Sequence, residues 1–517
     1  EEKYVNGVCQ ACGTNISVRM IGNRAVKVET ANKGCPVCQA MVQLLYHSER
    51  IQTPLKRTGR KGAGRFEPVS WEEAIKDISA KIASLRSQSK PQAIAAINAA
   101  GNMAPNLFME RLVMASGSRH VYEEASFATL SASAVKATQN LEGSIEYDFE
   151  NADYVLSFGA RLLEGWGNQA AMHRTFLKWK ENGAKLVQVD TLATRTASLA
   201  DRWVPIKAGS EAVLAMGIAH QLINNHGKAA NLADLSRWTG INEFTPDKVS
   251  ELTGVPAATI TEIAREFVTA SSAVAVAGRG TQAVSSSVPE IIAVQCLNAL
   301  LARLGKRGNA FVRTRPSLQG NIRYDEIAIA GHGASAPAKG MDDFIKNAQK
   351  PELLFINEAN PVYNSVCSAK MADKLKDIPM VVSFNTIMND TAQYADYVLP
   401  TMTIMESGAA GAEGVVAPRY RSRNSIDVIV EIAKKVEKVA DLFPWNSYRE
   451  ALGAVRMGDL RNAGNFSLST DMLRVYFEAL KKTMSESRSY PLALIPFEVP
   501  LVGDGRNLAL PYVLKGI

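Results

Sequence analysis

YVLSFG (154–159) running into ARLLEGWGN (160–168), and KLVQVD (185–190) running into TLATRT (191–196), are short apolar runs that each end in small and polar residues. A run of five or six mostly apolar residues bounded by turn formers reads as a strand buried on both faces. Four more follow the pattern: AIAAIN (93–98), AVAVAG (273–278), LLFIN (353–357) and MVVSFN (380–385). Amphipathic segments lie between them, at Gln169–Glu181, Glu211–Asn224, Pro289–Leu304 and Asp471–Lys482. Another starts at Ser70, where Ser70-Trp71-Glu72-Glu73 predicts a capping box. Strand and helix in alternation predict an α/β fold with doubly wound parallel sheets, whose ligands bind at the carboxyl ends of the strands.

Composition bounds the function. The chain has 517 residues, 46% hydrophobic and 21% charged, enough for a large core and more than one domain. A net charge of +7, spread along the chain, does not make a nucleic-acid-binding surface, and no partner of that kind is expected. No run of about 18 uncharged apolar residues occurs, so no direct membrane span is expected. The first residue is Glu1 rather than Met, which fits an exported protein whose signal has been removed. There is no internal repeat, and GHGASAPAKG (331–340) and SGAAGAEG (407–414) read as loops.

Four of the six cysteines form two CxxC units, Cys9-x2-Cys12 and Cys35-x2-Cys38. Four thiolates at that spacing suit a single soft metal centre, either tetrahedral Zn²⁺ or an iron–sulfur cluster. The plainer alternative is free or disulfide-bonded thiols. Cys296 and Cys367 have no partner nearby in sequence and read as bystanders. The carboxyl end of AVAVAG continues into Arg279-Gly280, a cation and backbone N–H groups suited to a phosphate, although a tight turn explains the glycines equally well.

Taken together the segments resemble the molybdopterin oxidoreductase superfamily of dimethyl sulfoxide reductase type. The resemblance is carried by YHSERIQTPLKRTGRKGAGRFEPVSWEEA (46–74), YDFENADYVLSFGARLLEGWG (147–167), GAKLVQVDTLATRTASLADRWVPIKAGSEAVLA (183–215) and TAQYADYVLPTMTIMES (391–407). It implies an N-terminal [4Fe-4S] domain, here 1–58, and two interleaved α/β domains, a discontinuous one over 59–145 with 330–517 and a Rossmann-like one over 146–329. It also implies a molybdopterin guanine dinucleotide cofactor holding Mo or W, and a C-terminal barrel that closes over it.

Several positions depart from the family pattern. Cys9 and Cys12 match its first two cluster ligands, Ile16 stands where the third is expected, and Cys35 matches the distant fourth. Cys38 is an additional thiol able to replace the missing ligand, so the metal site is assigned to Cys9, Cys12, Cys35 and Cys38, as a [4Fe-4S] cluster in preference to Zn. Val37 replaces the cation that the family places between cluster and pterin. The segment 117–140, which should supply the Mo ligand, has no cysteine. Ser126 is its candidate oxygen ligand, Glu123 and Glu124 bring unfavourable charge, and His120 and His173 read as packing or surface residues. The sequence ends where the family's barrel should only be beginning.

The resemblance therefore points to a degenerate member without Mo, lacking its own active site. Its expected role is that of a subunit of a respiratory quinone reductase complex, peripheral on the periplasmic side of the inner membrane. Expected partners are an iron–sulfur protein subunit, a multihaem cytochrome c and a quinone-binding integral membrane subunit. The alternative is an active Mo or W reductase of polysulfide, thiosulfate or tetrathionate using Ser126.

Overall fold

The computed structural model describes residues 1–9, 14–30, 36–100, 103–124, 126–164, 166, 168–227, 239–278, 287–318, 340–347, 350–365, 367–408, 413–456, 458–461 and 466. The chain divides into two compact units, Glu1–Ala125 with Pro316–Met457 and Leu501–Ile517, and Ser126–Arg315 with Gly458–Pro500.

The first unit is organised by a seven-stranded sheet in the order Phe66–Pro68, Leu55–Arg57, Tyr397–Pro400, Met380–Asn385, Leu353–Asn357, Ile94–Asn98, His120–Glu123. Its last five strands are parallel and the Leu55–Arg57 hairpin adds an antiparallel edge. Because side chains alternate across a strand, Leu353 and Phe355 join one core while Leu354 and Ile356 join the other. Helices Trp71–Ser87, Met103–Ala115 and Ser425–Lys434 cover the first face, and Met341–Lys346 with Ser368–Lys376 cover the second. Burial on both faces is why these strands read as unbroken apolar runs.

The Trp71–Ser87 helix begins where its cap was expected, but only half of the capping box forms. Ser70 Oγ accepts from Glu73 N at 3.1 Å, whereas the Glu73 carboxylate turns to Lys56 Nζ at 3.0 Å. The Leu55–Arg57 hairpin brings a full charge within reach, and an ammonium outbids a neutral backbone N–H for a carboxylate.

The same unit contains the N-terminal sheet, strands Glu2–Val8, Asn15–Ile21 and Arg24–Glu29 in antiparallel order, with helix Pro36–Leu45 against it. Val18, Met20, Val28, Met41 and Leu45 make its core together with Met405.

The second unit holds a four-stranded parallel sheet in the order Arg202–Pro205, Lys185–Asp190, Tyr154–Phe158, Ala273–Ala277. Helices Glu211–Asn224, Ala257–Thr269 and Ser287–Leu300 pack on one face and Gln169–Asn182 on the other. The unpaired edge of the buried strand Ala273–Ala277 is sealed by side-chain amides. Asn298 accepts from Ala275 N and donates to Ala275 O, both at 2.8 Å, and Asn309 Nδ2 donates to Ala273 O at 2.7 Å. An amide that supplies both groups of a missing neighbour removes the edge as a pairing template.

Helix Phe127–Gln139 and strand Gly143–Tyr147 also belong to this unit, through Ala134, Val135 and Ile145. The compact unit thus starts at Ser126. The segment Asp471–Lys482 and most of 331–340 lie outside the described residues.

Candidate functional site

In each unit the strand order reverses once, and the crevice at the reversal is where an open α/β sheet takes its ligand. In the first unit the reversal falls between Ile94–Asn98 and Leu353–Asn357. Both strands end in buried asparagines. Asn357 Nδ2 donates to Asn98 Oδ1 at 3.3 Å and to Asn106 Oδ1 at 3.0 Å, and Asn106 Nδ2 donates to Ala99 O at 2.8 Å. Asn357 Oδ1 is buried without a hydrogen-bond partner among the described residues. The crevice floor is thus an amide network that leaves over an acceptor.

Its rim is acidic. Glu358 follows Asn357 with φ +54°, a left-handed conformation that costs a side-chain-bearing residue about 1–2 kcal/mol. Glu123 ends the neighbouring strand His120–Glu123. Glu124, buried, accepts from Asn360 N at 2.8 Å and from Asn364 Nδ2 at 2.9 Å, so it pins the turn after Leu353–Asn357. Among the described residues at these three strand ends there is no Lys or Arg. A pterin dinucleotide carries phosphates and needs donors and positive charge. The described residues at these strand ends, amides and carboxylates, do not supply that charge.

In the second unit the reversal falls between Tyr154–Phe158 and Ala273–Ala277. Each strand is followed by a glycine at positive φ, Gly159 at +65° and Gly278 at +108°. A Cβ on Gly278 would lie 2.4 Å from Phe127 Cδ2, so the ring packs directly on the chain there. Trp166 lies 5.4 Å from the Phe127 ring and 5.8 Å from Tyr147, giving this end of the sheet an aromatic wall. Burial pushes the Tyr147 phenol far above its ordinary range, and its oxygen accepts from Gln295 Nε2 at 2.8 Å. The start of helix Arg195–Leu199 is already taken by the chain's own carboxylate, with Glu164 accepting from Arg195 N at 2.7 Å. Arg279 and Gly280, the phosphate-binding residues expected from sequence, lie outside the described residues.

Ser126 is the N-cap of helix Phe127–Gln139. Its Oγ accepts from Thr129 N at 3.2 Å and Thr129 Oγ1 accepts from Ser126 N at 2.8 Å, a reciprocal box that ties the hydroxyl to the helix start. His173 sits half-buried on Gln169–Asn182. Burial, followed by the nearby Arg195 charge, holds its imidazole below the ordinary value of 6.5. The folded state then prefers neutral His173 while the unfolded chain takes the proton first. Its contribution is complete above about pH 6.5 and is lost as the pH falls towards the depressed folded value. His173→Gln should flatten the urea-midpoint profile in that acidic window and leave it unchanged at pH 8.

Of the four thiols assigned to a metal, two are described. Cys9 follows strand Glu2–Val8 and is 1% exposed, and Cys38 lies in the first turn of Pro36–Leu45 and is 0% exposed. They belong to one apolar cluster, and Cys9 N donates to Thr14 O at 2.9 Å. Two thiols from distant segments held in one dry core suit a sulfur-ligated metal. Cys12 and Cys35 lie outside the described residues, and among those described no group of three or more His, Cys, Asp or Glu is gathered for a metal. Ile16 contributes an apolar side chain to the same core, and Val37 packs at its margin. Cys296 is buried in Ser287–Leu300 and Cys367 is exposed. No described helix is long and apolar enough to cross a membrane.

Comparison with known proteins places these features in context. The model of the molybdopterin oxidoreductase family matches residues 50–435. The chain is 27% identical, over 99% of its length and 78% of the relative's, to the menaquinone reductase molybdopterin-binding-like subunit of Nitratidesulfovibrio vulgaris. It is 24% identical to the thiosulfate reductase molybdopterin-containing subunit of Salmonella typhimurium, over 85% of this chain but only 64% of that protein, less than two thirds of its length. Among solved structures, acetylene hydratase from Pelobacter acetylenicus superimposes with a TM-score of 0.76 over 97% of this chain and 81% of its own, at 18% identity, which is a likeness of fold.

Proposed function

The chain belongs to the molybdopterin oxidoreductase family, and from that premise we propose that it is a subunit of a membrane-bound quinone reductase complex that has given up the Mo cofactor. Its role is structural, with electron relay through a [4Fe-4S] cluster on Cys9, Cys12, Cys35 and Cys38. The observation that carries this reading is the residue set at the first unit's crevice, where the described strand ends supply amides and carboxylates, Asn98, Asn357, Glu123 and Glu358, rather than Lys or Arg. The helix-capping role of Ser126 and the neutral Val37 support it. The similarity to a molybdopterin-binding-like subunit over 99% of the chain supports the placement in a quinone reductase complex. The partners are an iron–sulfur subunit, a multihaem cytochrome c and a quinone-binding membrane subunit, and the site of assembly is the periplasmic face of the inner membrane. When bound, the cluster would supply one-electron transfer; the four thiolates would hold it, and the apolar core around Cys9 and Cys38 would exclude water there.

Metal analysis of the protein purified from its native membranes tests this reading. It should carry roughly four Fe per chain, with absorbance near 400 nm that bleaches with dithionite, and no stoichiometric Mo or W. In Cys38→Ser the reduced EPR signal should be lost or converted, because a cubane deprived of one thiolate readily loses an iron. Stoichiometric Mo or W with a released guanine-dinucleotide pterin would make the chain an active reductase and sink the proposal.

A further inference from the structure

The strand carboxyl ends form one end of the seven-stranded sheet; the other end carries a different surface. Just before the amino ends of Met380–Asn385 and Tyr397–Pro400, Ile378 and Tyr394 border a cleft of about 780 Å³ whose outer wall is the loop following Leu55–Arg57. That loop is held by two bonds of its own, Thr58 N to Arg65 O and Ala63 N to Arg60 O, each at 3.1 Å, and by Gly62 N to Gln393 O of the facing turn at 3.0 Å. Gly62 has φ +84°, and a Cβ there would lie 3.0 Å from the Tyr394 ring, so glycine is required both by the turn and by the close approach.

The cleft is lined by Arg57, Arg60, Lys61 and Lys376 with one carboxylate, Asp377, among them. Asp377 is paired with Lys350 at 2.5 Å, and Lys376 is paired with Asp373 at 2.9 Å. Arg57 and Lys61 share a single carboxylate, Asp396, which bonds Arg57 Nε at 3.1 Å and Lys61 Nζ at 2.8 Å. The Arg60 guanidinium has no hydrogen bond or ion pair among the described residues. Two cations on one acid and one cation with none leave the cleft with an uncompensated positive charge of two. Its volume is many times the roughly 30 Å³ of a water, and its walls are charged rather than the apolar and aromatic lining usual for small-molecule pockets.

We propose that this cleft is the docking site of a carboxylate-rich segment of a partner polypeptide. The identification of that partner as another subunit rests on the function proposed above; the charge and shape of the cleft do not. A basic recess at the sheet end opposite the ligand crevice selects an acidic chain through electrostatic complementarity and faster encounter.

The test is a fluorescence-anisotropy titration of the full chain with fluorescein-labelled hexaglutamate. Binding should be saturable at low ionic strength and weaken as salt is added. Arg60→Glu/Lys376→Glu should weaken it about tenfold or more, with an unchanged melting curve, since both side chains are exposed. Lys178→Glu/Lys248→Glu, the same change in net charge on exposed cations of the second unit, should leave it within about twofold. Three results would overturn the proposal: no saturable binding, equal loss in the two double variants, or one-for-one displacement of the peptide by lower concentrations of pyrophosphate, which would make the cleft a small-anion site. The metal content that decides the proposed function is untouched by any of these outcomes, so the two readings fail separately.

Discussion

Arg50→Met should lower the unfolding free energy of the first unit by about 3–5 kcal/mol, the largest loss expected from any single polar substitution here. Arg50 and Glu406 have fully buried side chains and form a two-pronged ion pair, Nη1 to Oε1 at 3.1 Å and Nη2 to Oε2 at 2.7 Å. Nη1 also donates to Leu45 O at 3.2 Å, and the guanidinium lies 5.1 Å from the Tyr420 ring centroid. Glu406 in turn accepts from Thr403 N and Arg419 N, each at 2.8 Å. Removing the guanidinium leaves a carboxylate out of water with only backbone and hydroxyl donors, and that uncompensated charge is the source of the cost. Glu406→Gln should be milder, because the amide oxygen keeps some of those donors, but it strands the guanidinium instead. Urea unfolding followed by circular dichroism would read both. A loss below about 1 kcal/mol for Arg50→Met, the range of an exposed pair, would show that water reaches the site.

Asp396→Asn should cost about 2–4 kcal/mol, somewhat less than a fully enclosed pair, and the cost should depend on pH. Asp396 is the hub between the Arg57 and Lys61 side chains and the start of Met380–Asn385, whose Val381 N donates to Oδ2 at 2.7 Å. Asp396 is 13% and Lys61 8% exposed, so water replaces the lost carboxylate poorly. Burial already holds the Lys61 ammonium below its ordinary value of 10.5, opposed mainly by Asp396. Without that carboxylate the folded value falls further. Between the folded value and 10.5 the unfolded chain binds more protons, so stability rises with pH there. The deficit of the variant against the parent should therefore shrink as the pH rises towards 10.5. A deficit constant across that range would mean that Lys61 stays protonated and solvated in the variant.

Strands with both faces buried were plain from the sequence, because unbroken apolar runs such as LLFIN and KLVQVD have few other folded explanations. Helix Glu211–Asn224 was equally plain, and Ser70 marked a helix start correctly. The Glu73 half of that capping box failed because the partner that took its carboxylate, Lys56, reaches it only through the hairpin. The two CxxC units announced a thiol site, and Cys9 and Cys38 do enter one core, although nothing local says that they meet. The crevice was less legible. Asn98, Asn106 and Asn357 are up to 259 positions apart and carry no motif, and the left-handed backbone of Glu358 leaves no trace in composition. Arg50 and Glu406 stood inside segments that resembled a redox family, yet their side chains serve the fold.

The sequence alone determined the alternation of strand and helix, the class of sheet and the family, because periodicity and chain-local turn chemistry are properties of neighbouring residues. Tertiary structure decided which charges end up facing one another: that carboxylates and amides stand at one sheet end and cations at the other, and that Asp396 answers two cations at once. Electrostatic energy depends on distance through space and on exclusion of water, and neither is fixed until the chain has packed.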